Sequence, residues 1–294
     1  AYQFLKFRID AHQNGTLTGL VVERKGVGTD ADFGKAYLYV NGVRATNAKS
    51  MNSATDQYTF NNLNIQLASG QSAEISVVAD IPSTTAGAGN VNYLQVVSAT
   101  ANSADTSQLT GMRGPAVSIA GSSVGTITIT QSGSLSNPTL GETNVPLARF
   151  QITNNDTQTV QLEQILLEQK GSVDAGDIQN FVLKDSANNA VATASGVQTI
   201  GTSNLVVLNL NPAVSLSAGS SQTFTLYGDV TSGAQANDTV QYQIKEASDV
   251  KAKRTDFNVY VGVSTSTPVQ FQNLTIKGGQ VTFVNKHTPA TRSI

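Results

Sequence analysis

The chain has 294 residues, of which 39% are hydrophobic and only 13% are charged, and its formal net charge is −2. This length suggests two domains that each bury a core of their own. The slightly acidic balance excludes the basic footprint of a nucleic-acid-binding protein, and the sequence has neither a polybasic run nor an apolar stretch of membrane-spanning length.

Cysteine is absent from the sequence. Disulfides and zinc–thiolate sites are therefore excluded. Many bacterial surface proteins contain no Cys, whereas cytosolic proteins usually keep some thiols. The composition thus favours an extracellular or cell-surface location.

Alternation of apolar and polar residues with a period of two predicts short β-strands along most of the chain. The first strand contains Phe7 and Ile9, a tight hairpin turn follows at Asn41-Gly42, and Pro82 ends a later strand. No segment shows sustained helical periodicity, so we expect nothing longer than single helical turns.

The second half of the chain repeats the order of the first half. Leu147–Asn154 has the same succession of hydrophobe, base, Phe and Ile as Phe4–Ala11. The spacing between matched segments drifts by only a few residues, which indicates an internal duplication. Further matched segments, first copy before second, are Gly26 with Gly171, Ala36–Leu38 with Phe181–Leu183, Ile75–Ile81 with Phe224–Val230, and Gly125–Ile129 with Gly279–Phe283.

Regularly spaced short strands separated by turn residues predict an all-β fold of two tandem Greek-key β-sandwiches. We place the first sandwich at residues 1–131 and the second, with a C-terminal tail, at residues 144–294. The Gly-, Ser- and Pro-containing stretch 132–143 is interpreted as a short linker, which allows little relative motion of the domains.

Several of these stretches resemble the tandem immunoglobulin-like domains of large bacterial cell-surface proteins. They are Gly26–Phe33 before Ala36–Val40, then Phe60–Ile65, the turn 68–71, and Val77–Ile81. The resemblance covers both halves and implies a structural domain type rather than an activity. A looser resemblance, based on the strand-like ends, is to biofilm fibre proteins and bundling pili, whose β-sandwich subunits donate a terminal strand to the next subunit.

No group of residues in the sequence indicates catalysis. Gly121–Gly125 fits the Gly-x-Ser-x-Gly pattern of a hydrolase nucleophile elbow, but a strand follows it where a helix is required, so a turn is the better interpretation. His12 and His287 are far apart, and no Cys accompanies them in a metal site. We therefore predict that the protein is not an enzyme and needs no cofactor.

Four carboxylates at equivalent places in the two copies are weak candidates for Ca²⁺ ligands. Oxygen ligands at close spacing in a loop suit this ion, but the Asp-x-Asp-x-Asp-Gly loop of a high-affinity site is missing. Capping of a short helical turn explains an Asp at such a place without a metal. The candidates are Asp30, Asp32, Asp174 and Asp177.

Tyr37 and Tyr39 lie on one face of a predicted strand, where their rings could stack on a sugar. The sequence has no Trp, so a place in the core or between sheets is favoured. The alternative function is a surface adhesin or a carbohydrate-binding stalk module of a longer tandem-domain protein, with surface glycans as partners. Four sequons permit N-glycosylation, in a number expected by chance, at Asn14, Asn155, Asn237 and Asn273.

The two ends of the chain give the main functional prediction. The first strand is apolar from its beginning, and a terminus rich in aromatic residues is expected to be buried against a partner. The tail after Phe283 is about as long as the predicted linker. We therefore expect copies to join head to tail into an extracellular homopolymeric filament, with exchange of a terminal strand, and which end donates is left open. Candidate subunit contacts are Tyr2, Phe4, Phe7, Ile9, Val281, Phe283 and Ile294.

Overall fold

A computed structural model describes residues 1–82, 87–121, 125–200, 203–256 and 259–279. Strands dominate these ranges, and the helical elements include short 3₁₀ turns at Asp30–Asp32, Ser107–Leu109 and Ala247–Asp249. Within the same ranges, no helix has the length and apolar character needed to cross a membrane. The predicted all-β fold of two tandem sandwiches is confirmed.

Two facing sheets form the first sandwich. One has the strand order β1-β7-β3-β4, and the other has the order β5-β2-β8-β9, with β6 also paired to β2. Their inner faces enclose a separate apolar core. The strands are β1 (Tyr2–Asp10), β2 (Gly15–Val27), β3 (Ala36–Val40), β4 (Val43–Arg44), β5 (Gln57–Phe60), β6 (Ile65–Leu67), β7 (Ser72–Ala79), β8 (Val91–Asn102) and β9 (Val117–Ser118).

The second sandwich is larger but is built in the same way around its own core. Its strands are β10 (Thr126–Gln131), β11 (Val145–Asn154), β12 (Val160–Lys170), β13 (Ile178–Lys184), β14 (Ala190–Ala194), β15 (Gln198–Ile200), β16 (Ser203–Leu216), β17 (Ser221–Val230), β18 (Thr239–Ile244), β19 (Val250–Arg254), β20 (Val259–Tyr260), β21 (Gly262–Val263), β22 (Val269–Gln270) and β23 (Leu274–Thr275). One sheet has the order β14-β13-β17-β11-β10-β21, and the other has β15-β16-β12-β18-β22 with β19, β20 and β23 attached.

The strand registers of the two sandwiches show the duplication directly. Phe7 of β1 lies opposite Ile75 of β7, and in the second sandwich Phe150 of β11 lies opposite Phe224 of β17. A β-bulge interrupts both pairs at the equivalent place near the start of the first strand. Because register is set by which side chains must face the core, the shared register follows from the shared apolar pattern.

One part of the predicted domain division is wrong. β10, expected to close the first sandwich, pairs antiparallel with β11 and parallel with β21, both in the second sandwich. The stretch 132–143 is not a free linker either, because Leu140 donates its N–H to the Lys277 carbonyl at 3.0 Å and Leu135 packs on the second core. The chain therefore passes from one sandwich to the other before β10, because the apolar face of β10 fits the core of the second sandwich.

Candidate functional site

The hairpin between β3 and β4 joins the two sandwiches. Asn41 and Gly42 have φ angles of 50° and 80°, the positive values that a two-residue hairpin turn with the favoured twist requires. Directly after the turn, Val43 packs with residues of β12 and β16 in a small apolar cluster separate from both cores, which contains Leu166, Leu205 and Val207. The hairpin of one half is thus seated on the outer face of a sheet of the other half.

A buried ion pair stands beside this cluster. The Arg44 guanidinium donates from Nε to Asp249 Oδ1 at 2.5 Å and from Nη2 to Asp249 Oδ2 at 3.0 Å. The two side chains are 1% and 0% exposed. A two-pronged geometry of this kind is the strongest form of contact between Arg and a carboxylate.

Hydrogen bonds from nearby backbone N–H groups fix the orientation of the Asp249 carboxylate. It is the last residue of the 3₁₀ turn Ala247–Asp249, and its Oδ2 also accepts the backbone N–H groups of Lys245 and Glu246 at 3.2 and 3.0 Å. Burial opposes the charge on Arg44, but the Asp249 carboxylate outweighs it and keeps the pKa of the guanidinium above its ordinary value. The guanidinium is therefore charged, and the pair has the hydrogen bonds that a buried ion pair needs in order to be tolerated.

Further polar contacts cross the joint around the ion pair. The Tyr39 hydroxyl donates to the Ser248 carbonyl at 2.9 Å, and Lys251 Nζ donates to the Gly42 carbonyl at 3.0 Å. The same ammonium lies 5.1 Å from the centre of the Tyr39 ring, within the range of a cation–π contact. Glu246 Oε1 accepts the backbone N–H of Ala48 at 3.2 Å.

The possible sugar platform on β3 is not exposed. Tyr39 is covered by the second sandwich, and Tyr37 is only 3% exposed and donates its hydroxyl to Asp80 Oδ2 at 3.0 Å. Burial is the first cause that raises the pKa of both phenols. The platform interpretation of these two rings is therefore wrong, and the interpretation as a contact between sheets holds for Tyr39.

A cavity of about 260 Å³ remains between the sandwiches next to these contacts. Its walls include Gln3, Glu74 and Asp80 from the first sandwich and Lys251 and Tyr260 from the second. Tyr260 is 37% exposed and its hydroxyl donates to Glu163 at 2.7 Å. The cavity is thus lined by side chains of both halves.

The second sandwich carries one more buried charge close to the joint, on Glu168 of β12. Lys245 Nζ donates to Glu168 Oε1 at 2.9 Å, and Gln243 Nε2 donates to Oε2 at 2.5 Å. Burial would raise the pKa of the Glu168 carboxyl, but these hydrogen bonds outweigh burial and hold that pKa below its ordinary value of 4.5.

Because the folded pKa of Glu168 is lowered, its stabilising effect is present above about pH 4.5 and is lost as the pH falls through the folded value. We expect Glu168→Gln to flatten the acid side of a plot of unfolding free energy against pH by about 1–3 kcal/mol. Urea unfolding between pH 7 and pH 3 measures this difference. The control is Glu74→Gln, whose partner Lys6 lies in an exposed pair at 2.8 Å, and an equal flattening in both variants would contradict the prediction.

Of the candidate calcium ligands, Asp32 is already satisfied by protein donors. Asp32 is buried, and its carboxylate accepts hydrogen bonds from the Asn90 and Asn92 amides and from the Thr29 N–H. Burial acts to raise the pKa of Asp32, but these bonds outweigh it and lower the pKa. In the described ranges, no group of three or more His, Cys, Asp or Glu is placed to hold a metal ion.

The remaining chemical candidates are the two histidines, the elbow-like sequence Gly121–Gly125 and the four sequons. His12 is exposed, while His287 and Ser122 to Val124 of the elbow-like sequence lie outside the described residues. All four sequon asparagines are exposed, so glycosylation stays a prediction: Asn14, Asn155, Asn237 and Asn273.

The candidate subunit contacts have different surroundings. Phe4 and Phe7 are buried in the core of their own sandwich, at 0% and 7% exposure, because β1 pairs with β7 of the same chain. Within one chain these two side chains are occupied by intramolecular packing, and their role as subunit contacts stays a prediction. Tyr2 is 37% exposed and Ile9 is half-buried. The other candidates, Val281, Phe283 and Ile294, lie outside the described residues.

The sequence interpretation missed Arg44 and Asp249, the central pair of the joint. The available signal is weak: Arg44 interrupts an apolar run, Val43 to Ala45, directly after a hairpin turn. A charge in such a place needs a partner if the run is buried. The partner lies 205 residues away, and the alternation pattern contains no information about it.

Comparison with known proteins gives no family for this chain. No protein-family model matches it, and no curated protein matches its sequence.

Among solved structures, a Corynebacterium diphtheriae protein described as membrane anchored aligns at 8% identity and a TM-score of 0.26, over 90% of this chain and 60% of that one. The C-terminal domain of the Streptococcus pyogenes antigen I/II-family protein AspA aligns at 10% identity and a TM-score of 0.20, over 89% and 84% of the two chains. The S. aureus collagen adhesin aligns at 12% identity and a TM-score of 0.18, over 94% and 92%. This chain spans less than two thirds of the Corynebacterium chain, and all three similarities are too low to carry an argument.

Proposed function

We propose that the protein is an extracellular structural protein, the subunit of a cell-surface filament whose copies join head to tail by donation of a terminal strand. The observation that carries this proposal is the joint between the sandwiches. A buried, two-pronged ion pair, an apolar cluster and several crossing hydrogen bonds hold the halves together. Such a joint makes the two halves a stiff unit, which suits a load-bearing rod better than a flexible pair of domains.

The path of the chain between the halves supports assembly by strand addition. β10 is the last strand of the first repeat in sequence, but it completes a sheet of the second sandwich beside β11. A strand from one repeat is thus built into the next repeat within a single chain. The same exchange between two copies would form a heterologous contact that does not close, and such contacts produce filaments.

The site residues give no support to an enzymatic function. The buried charges at the joint, Arg44, Asp249 and Glu168, are engaged in ion pairs or hydrogen bonds. Their arrangement explains cohesion without a reaction. We therefore keep the prediction of a non-enzymatic protein as part of the proposal.

Electron microscopy of the purified full-length protein in negative stain tests the filament proposal. We expect filaments whose axial repeat corresponds to a pair of sandwiches, and a variant truncated after Gly279 is expected to stay as single particles. Single particles of the full-length protein at every concentration up to the solubility limit would contradict the proposal.

The cavity favours a second candidate function, a stalk module that binds a surface glycan. The half-exposed Tyr260 ring and the polar groups of Lys251 and Glu74 form a concave surface of the kind that sugars occupy. Binding on a glycan array that is lost in Tyr260→Ala, with Tyr93→Ala as the control outside the cavity, would support this candidate. Equal binding by both variants would contradict it.

A further inference from the structure

The pairing of β10 with β11 shows how an added strand binds at the edge of the first strand of a repeat. In its antiparallel pair with β11, Ile127 lies opposite Asn154 and Ile129 lies opposite Ile152. Both β10 side chains are fully buried in the second core. The edge of β11 is therefore paired with β10 through backbone hydrogen bonds. The two apolar side chains of β10 add to the second core.

β1, the counterpart of β11, lacks such a neighbour in the described part of the chain. It is the end strand of its sheet and pairs with β7 alone. Gly114 stands against the backbone of Phe4, so the start of β1 is covered by the segment around Gly114. The second half of β1 is the part that corresponds to the residues of β11 covered by β10.

Burial at this edge differs between the two repeats. Ile152 of β11 is 0% exposed, whereas the matching residue Ile9 of β1 is only half-buried at the margin of the first core. The difference lies at the place where β10 pairs with β11. Within the described residues, no strand takes the corresponding place beside β1 in the first sandwich.

The sequence contains a second copy of the strand that fills this place in the other sandwich. Gly279–Phe283 matches Gly125–Ile129, so Val281 and Phe283 take the positions of Ile127 and Ile129. Polar residues alternate with them, at Gln280 and Thr282. The segment has the alternation of a strand with one buried face.

We propose that the edge of β1 accepts residues 281–285 of a second copy, antiparallel and in the register that β10 has on β11. This rests on the filament assembly proposed above and names its acceptor, its donor and their alignment. Transfer of the register places Val281 opposite Ala11, Thr282 opposite Asp10 and Phe283 opposite Ile9. In this arrangement the contact between copies repeats the pairing of β10 with β11.

Charged side chains on the outer face of β1 would make this edge selective for the strand that it binds. Arg8 and Asp10 form an ion pair at 2.6 Å, and Lys6 pairs with Glu74 of β7 at 2.8 Å. Charged residues on an edge strand discourage pairing with unrelated strands. The donor presents the neutral Thr282 and Val284 to this face, so it adds no charge that these pairs would repel.

Cysteine crosslinking in the full-length chain tests the register, since the natural sequence has no Cys. In the variant Thr282→Cys with Asp10→Cys, mild oxidation is expected to give a ladder of disulfide-linked oligomers, because a disulfide forms only between side chains that lie directly opposite each other. The off-register control combines Thr282→Cys with Arg8→Cys, and we expect at least tenfold less crosslinked product from it. The intrachain reference is Thr128→Cys with Thr153→Cys, which are directly opposite in β10 and β11. Equal or greater crosslinking in the off-register variant would overturn the inference.

A peptide experiment tests the donor side. Full-length Phe283→Asp, whose own donor is disabled, is expected to bind an added peptide of residues 279–286. The same peptide with Asp in place of Phe283 is expected to bind at least about tenfold more weakly, because it loses the burial of one aromatic side chain. Absence of peptide binding would overturn the inference.

The outcomes separate this inference from the filament proposal. Filaments that form without the Thr282–Asp10 crosslink contradict only the register, and the polymer is then joined in another way. Absence of both filaments and crosslinks contradicts the two proposals together.

Discussion

Arg44→Ala is expected to destabilise the joint between the sandwiches by about 3–5 kcal/mol, because it leaves the Asp249 carboxylate buried without its partner. Each sandwich keeps its own core, so the loss falls on the contact between them. We expect calorimetry to show unfolding that separates into two transitions. Small-angle scattering should show a wider distribution of overall lengths than for the natural protein.

Two controls make this prediction specific. Arg8→Ala removes an Arg whose side chain is 68% exposed from its pair with Asp10, and its effect is expected to stay below about 1 kcal/mol. The double variant Arg44→Met with Asp249→Leu removes both charges together, and we expect it to recover much of the lost stability because no unpaired charge remains. A single transition at the natural temperature in Arg44→Ala would contradict a joint held by this pair.

Gly171→Ala is expected to destabilise the second sandwich by about 2–6 kcal/mol, the combined cost of a strained backbone and a steric overlap. Gly171 has a φ of +102°, which side-chain-bearing residues rarely adopt, and an added Cβ would overlap the Thr239 carbonyl. The residue follows β12, the strand that carries Leu166 and Glu168 to the joint. Chemical denaturation of the purified variant measures the effect.

The duplication supplies an internal replicate and a control for this substitution. Gly26, the match of Gly171, has a φ of +114° and stands in the same way against the Val91 carbonyl, so Gly26→Ala should be about as costly in the first sandwich. Gly219 has a φ of +68° but nothing within 4 Å of an added Cβ. Gly219→Ala is therefore expected to cost only about 1 kcal/mol. An equal loss of unfolding free energy in Gly171→Ala and Gly219→Ala would show that the steric overlap does not contribute.

These two predictions concern different requirements of the proposed filament subunit. The pair of Arg44 and Asp249 determines whether the halves move as one body. Gly26 and Gly171 determine how stable each sandwich is by itself. The proposed filament should lose order along its axis in Arg44→Ala and should form in a smaller amount in Gly171→Ala.

The sequence alone determined the all-β class, the internal duplication and the special turn positions. Period-two alternation assigns residues to the faces of a strand, and Gly26 and Gly171 mark equal places in two copies because only Gly accepts those backbone angles. Asn41-Gly42 likewise identified the hairpin that proves to hold the joint.

Only the tertiary structure decided which strands and charges meet. Alternation gives a strand its buried face but does not name its neighbour, so β10 could not be assigned to the second sandwich from sequence order. Arg44 and Asp249 are 205 residues apart, and no local pattern identifies either residue as the partner of the other. Tyr39 was placed on a face correctly, but that face is covered by the other half of the chain. Local pattern reports what each segment must bury, whereas the long-range packing of the whole chain determines what it is buried against.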